Sequence, residues 1–108
     1  MLSLGGLFDA IAANQPLDIS LIQLIARPND FHGKTVRVIG YVRVEHEGDA
    51  VYLHEEDYKK RISKNGLWLD LPKEVIKKSR EYDQRYCLIE GVFNAKNTGH
   101  MDLFSGSI

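Results

Sequence analysis

Gly33-Lys34-Thr35-Val36-Arg37-Val38-Ile39-Gly40-Tyr41-Val42-Arg43-Val44 is the stretch whose reading decides the fold. Its alternation puts Val36, Val38, Val42 and Val44 on one face and Arg37, Ile39, Tyr41 and Arg43 on the other, as in a strand with one buried side. Gly40 allows a bend in its middle, and a long, bent first strand is what a small closed five-stranded barrel needs. The strand runs into a hairpin ending at Val51-Tyr52-Leu53. With Gly48-Asp49 as a two-residue turn, Glu47 faces Ala50, His46 faces Val51 and Val44 faces Leu53. This register gathers Val42, Val44, Val51 and Leu53 on the core side. It sets Tyr52 opposite Glu45 and His54 opposite Arg43 on the outer side. A one-residue slip would bury Arg43 and Glu45, so the pairing is well specified.

Downstream, Glu55 to Asn65 is polar and reads as a helical turn or an excursion. Leu67-Trp68-Leu69-Asp70-Leu71 reads as a third strand with its leucines inward and Trp68 and Asp70 outward. Pro72 suits the first turn of a short, solvated helix over Lys73 to Arg80. Tyr86-Cys87-Leu88-Ile89-Glu90-Gly91-Val92-Phe93 is the fourth strand, and Met101 to Ile108 the fifth, after a turn at Asn97-Thr98-Gly99-His100. Upstream, Leu4, Leu7, Phe8 and Ile11 share one helical face between Leu4 and Asn14. Asp18 or Ser20 caps a second helix that stops before Pro28, and Asn29 to Gly33 turns the chain into the first strand.

A chain of 108 residues with 44% hydrophobic and 27% charged residues makes one ordinary globular domain, a helical segment over 1–27 followed by a barrel over 33–108. Fourteen Lys+Arg against fifteen Asp+Glu leave a net charge of −1, which argues against strong sequence-blind binding of phosphates. The single cysteine, Cys87, excludes an internal disulfide and reads as a small core residue. No basic start or long apolar run marks a secretory signal or a membrane span, so a cytoplasmic location without membrane contact is the expectation.

Strand, long hairpin, third strand, helix, fourth strand, fifth strand is the order of an OB-fold barrel. Gly33-Lys34-x-Val36-x-Val38-x-Gly40-Tyr41-Val42, with Glu90-Gly91-x-Phe93, resembles the first- and fourth-strand pattern of small bacterial OB-fold proteins. The ending Gly99-His100-Met101-x-Leu103-Phe104-Ser105-Gly106-Ser107-Ile108 is similar to that of short stand-alone bacterial proteins of uncharacterised type with the same layout. The resemblance covers roughly residues 20 to 108 and implies fold rather than activity. By analogy of size and class, it points to small cytoplasmic immunity partners of secreted toxins.

Three constellations compete for function. Parity places Arg37, Tyr41, Arg43, Tyr52, His54 and Trp68 on the outer face, where an OB-fold stacks bases on rings and tracks the backbone with cations. The structural alternative is that Tyr41, Ile39 and Trp68 pack beneath the N-terminal helices. Between Glu45 and Asp57 six acids (Glu45, Glu47, Asp49, Glu55, Glu56 and Asp57) occur with no Lys or Arg. Such a patch repels phosphates and steers a basic protein surface towards it. Its bland counterpart is a solvated loop paired with Lys59, Lys60, Arg61 and Lys64. His46 and His54 point to opposite faces and no metal-ligand spacing occurs, so no metal or cofactor is expected. Phosphate loops, dinucleotide fingerprints and nucleophile elbows are absent too. The expectation is a non-catalytic protein-binding module of inhibitor or immunity type that takes a basic partner on the acidic hairpin. The alternatives are a single-stranded nucleic-acid binder using the aromatic and arginine face, and an unrecognised enzyme or small-ligand binder.

Overall fold

The decisive stretch forms the longest strand of a computed structural model that describes Leu2–Ser3 and residues 15–108. The helix expected over Leu4 to Asn14 lies outside the described residues. Among the described residues the architecture is a mixed α/β domain with one six-stranded sheet and four short α-helices. In chain order these are β1 (Leu2–Ser3), β2 (Leu17–Asp18), α1 (Leu21–Ala26), α2 (Pro28–Phe31), β3 (Thr35–Arg43) and β4 (Ala50–Tyr52). They are followed by α3 (Glu55–Lys59), β5 (Gly66–Trp68), α4 (Lys73–Lys77) and β6 (Arg85–Val92). The order across the sheet is β1-β6-β3-β4-β5, with β2 beside the first half of β3.

β3 is central because both its edges are used. β6 pairs antiparallel along eight of its residues, from Thr35–Val92 to Val42–Arg85, and β4 takes the other edge from Tyr41–Tyr52 to Arg43–Ala50. The predicted alternation holds on the inner side, where Val36, Val38 and Val42 are buried with Val51, Leu67, Leu69, Ile89 and Phe93. Full burial of such an aliphatic or aromatic side chain stabilises by about 1.5–3 kcal/mol. α1 packs against this side through Leu21 and Leu24. Ser20 caps it, its hydroxyl accepting from the Gln23 amide while the Gln23 side chain accepts from the Ser20 amide. Gly40 makes the close approach feasible. A Cβ there would lie 2.5 Å from Val51 Cγ2 and 2.7 Å from Leu21 Cδ1.

Four expectations are corrected. The hairpin is four positions out of the expected register, because Val42 faces Val51 and Tyr41 faces Tyr52. Residues 44–49 form a six-residue loop instead of a Gly48-Asp49 turn, held by Asp49 Oδ1 accepting from the Glu45 amide (2.9 Å) and by Gly48 N donating to Glu45 O (3.0 Å). An even shift preserves parity, so Val42 and Val51 still share the core face. The turn expected after Pro28 is instead α2, with the proline in its first turn, where its missing N–H costs nothing. The third strand ends at Trp68 rather than Leu71, and the helix after Pro72 is cut to Lys73–Lys77 with a 3-10 turn at Ser79–Glu81.

The fifth strand is the largest departure. Met101 and Asp102 take left-handed backbone angles (φ 55° and 57°) in a 3-10 turn over His100–Asp102, which breaks any regular ladder there. Thr98 Oγ1 donates to Asp102 Oδ1 (2.6 Å), and Lys64 Nζ donates to the carbonyls of Asp102 (2.9 Å) and Phe104 (3.1 Å). What remains is a C-terminal segment making two isolated bridges at Ser107, parallel to Trp68 and antiparallel to Asn94. Trp68 N donates to Gly106 O (2.8 Å), and Ile108 N to Trp68 O (2.9 Å). The regular sheet is not closed into a barrel.

Candidate functional site

The outer side of the sheet carries a second, aromatic layer. Tyr41 and Tyr52 face each other across β3 and β4, Ala50 lies beside Trp68, and Tyr86 of β6 is opposite Tyr41. Tyr58 comes down on these rings from α3 and Phe104 from the C-terminal segment. Tyr41 packs against Tyr86 (5.4 Å between centroids) and Tyr58 (6.2 Å), and Tyr52 against Tyr58 (5.5 Å) and Phe104 (6.1 Å). Edge and tilted pairs at this separation contribute about 0.5–1.5 kcal/mol each beyond area burial. Tyr41 is only 5% exposed and Tyr52 6%. Burial pushes both phenols above their ordinary range.

These rings are therefore packed on one another; of the two N-terminal helices expected to cover them, the first lies outside the described residues and the second is α1. α1 lies on the inner face, while α3 and the C-terminal segment cover the outer rings. Trp68 is half-buried, 5.7 Å from the Phe104 ring. Gly99 lies against its other atoms, so closely that a Cβ there would be 2.7 Å from the indole. Ile39 remains 65% exposed on the same face. Arg37 pairs with Glu90 (2.8 Å) and lies 3.7 Å from Asp18. Arg43 sits over the Tyr58 ring (4.5 Å) and pairs with Asp83 (3.0 Å) and Glu45 (3.3 Å). His54 is off the strands, at the start of α3.

The acidic set divides. Glu45, Glu47 and Glu56 are exposed, Asp49 and Glu55 half-buried, and Asp57 buried. Asp57 faces inward as a structural group. Its carboxylate accepts from the His54 amide (2.9 Å) and from Asn65 Nδ2 (2.9 Å), while its carbonyl accepts from the Ile62 amide (2.8 Å). Burial pushes the Asp49 carboxyl above its ordinary value, opposed by its hydrogen bond from Glu45. The loop and α3 touch where Tyr58 Oη donates to Glu45 Oε2 (3.4 Å). Lys59 answers Glu55 (3.1 Å) and reaches Glu56 (4.0 Å), whereas Lys64 is spent on the C-terminal carbonyls. Glu47 meets only histidines among the described residues, His46 at 3.5 Å and His100 at 3.6 Å.

Two concavities border the loop 44–49. One, of about 230 Å³, lies between Glu45, Tyr52, Tyr58, Lys59, Arg61 and Ser63. The other, of about 410 Å³, separates the loop from Ile76 and Ser79. Tyr58, Tyr86, Phe104 and Asp83 were missed by the sequence reading. Tyr86 was accessible, because strand parity in β6 sets it outward with Leu88 and Glu90. Nothing local marks Asp83 as the partner of Arg43, forty positions earlier.

Among the described residues no helix is long and apolar enough to cross a membrane. No family model, curated protein or solved structure matches the chain.

Proposed function

We propose that the protein is a non-catalytic binding module whose acidic hairpin takes a cationic protein partner, in the manner of a cytoplasmic inhibitor or immunity protein. The observation that carries this reading is the shape of the 44–49 loop. Arg43, Asp83 and the Asp49 side chain fix it from beneath, while Glu45, Glu47 and, from α3, Glu56 stand exposed above. A preorganised anionic rim of this kind raises encounter rates with a basic surface and needs little reordering on contact. The scaffold in this reading is of OB type, as in the small bacterial proteins its sequence resembles. Support comes from the β3-β4-α3-β5-α4-β6 order and from the C-terminal segment lying between β5 and Asn94, where a fifth strand would run.

The test is affinity capture from cell extract with the wild type and with a Glu47→Lys/Glu56→Lys variant, both positions being exposed. The wild type is expected to retain a basic protein that the variant loses. Equal retention by both, or recovery of nucleic acid enhanced by the variant, overturns the reading.

A further inference from the structure

α4 and the 3-10 turn after it carry a cationic counterpart to the acidic loop. Lys73, Lys77 and Arg80 recur at near-helical spacing and are all exposed, and none lies within ion-pair distance of a carboxylate among the described residues. Between them Ile76 leaves 44% of its surface open. Across the groove stand Glu47 and Asp49, with Ile76 and Ser79 on the opposite wall. The acidic loop thus faces Ile76 across the groove, and the exposed cations lie on the same helix and turn as Ile76. A two-fold axis through such a surface sets the loop of each copy against the helix of the other and brings the two Ile76 side chains together.

We propose that the chain forms a two-fold dimer through this surface, with Glu47 of one copy against Lys73, Lys77 and Arg80 of the other. The charge balance fits, since a net charge of −1 sets up no long-range repulsion between copies. A contact held by exposed charge pairs belongs among salt-sensitive, reversible associations. It stands apart from the proposed function and is measured on the purified chain alone. If both hold, a cationic partner competes with the second copy for the same loop.

Sedimentation equilibrium of the full chain at low and high ionic strength provides the test. A concentration-dependent dimer is expected at low ionic strength, weakened about tenfold or more by high salt. Glu47→Lys and Lys77→Glu, both on the exposed surface, are each expected to sediment as monomers. An equimolar mixture of the two is expected to restore the dimer, because the reversed loop of one then meets the reversed helix of the other. Monomer at every concentration of the wild type overturns the proposal. So does a dimer indifferent to salt or to either reversal, or a mixture that stays monomeric.

Discussion

The two faces of the sheet are packed by different chemistries. The inner face is aliphatic and strand-built, with Val36, Val38, Val42, Val51, Leu67 and Ile89 sealed by α1 and Phe93. The outer face is aromatic and is covered in part from outside the strands, by Tyr58 on α3 and Phe104 on the C-terminal segment. The inner layer follows from alternation alone. The outer layer depends on where two irregular segments happen to return. A row of outward rings on a strand is thus no binding platform until the path of the loops above it is known.

Breaking the inner layer has the largest expected effect. Phe93→Ala removes a fully buried ring and is expected to cost about 4–5 kcal/mol, read as a fall in the urea midpoint. A loss below about 1.5 kcal/mol would mean that the inner layer is not the main core. Phe104→Ala strips one cover from the outer layer at the chain end, where neighbours relax more readily, and is expected to cost about 3 kcal/mol. It should also red-shift the emission of Trp68, the ring it covers. The same loss with unchanged emission would detach Phe104 from the outer layer.

A subtler test separates the loop from both layers. Burial raises the Asp49 carboxyl above its ordinary value of 3.8, so ionising it costs the folded state. A carboxyl raised on folding leaves stability untouched below 3.8 and reduces it as pH climbs through the higher folded value. Asn in its place still accepts from the Glu45 amide. Asp49→Asn is therefore expected to raise the urea midpoint at neutral pH, and the gain is expected to vanish in acid below 3.8. An equal midpoint at both would place Asp49 in open solvent.

How far the sequence could be read follows from these particulars. β3 and β6 announce themselves because each residue's face is set by its own parity. α1 is equally plain in its apolar run from Leu21 to Ile25, although the choice of Ser20 over Asp18 as its cap rests on the reciprocal bond with Gln23. The hairpin register was not, because positions four apart satisfy the same pattern. The choice fell to Asp49 and Glu45, which close a loop by a side-chain hydrogen bond that no periodicity encodes. The fifth strand failed at Met101 and Asp102, which take left-handed angles where Lys64 and Thr98 hold Asp102, a residue type that tolerates that region. Within the candidate site, the acidic character of the hairpin was legible. That Asp57 turns inward was not, since its partners are the His54 amide and Asn65.

The comparison of the two faces comes down to whether the outer rings are packed or available, and Trp68 reports on them directly as the only tryptophan. The decisive measurement is its fluorescence during titration with a mixed single-stranded oligonucleotide at moderate salt, with acrylamide quenching recorded alongside. The account predicts emission unchanged by the oligonucleotide and only partial acrylamide quenching, because Phe104 and Gly99 cover part of the ring. Saturable quenching by the oligonucleotide would contradict it, for the outer aromatic layer would then be a stacking surface rather than a second core.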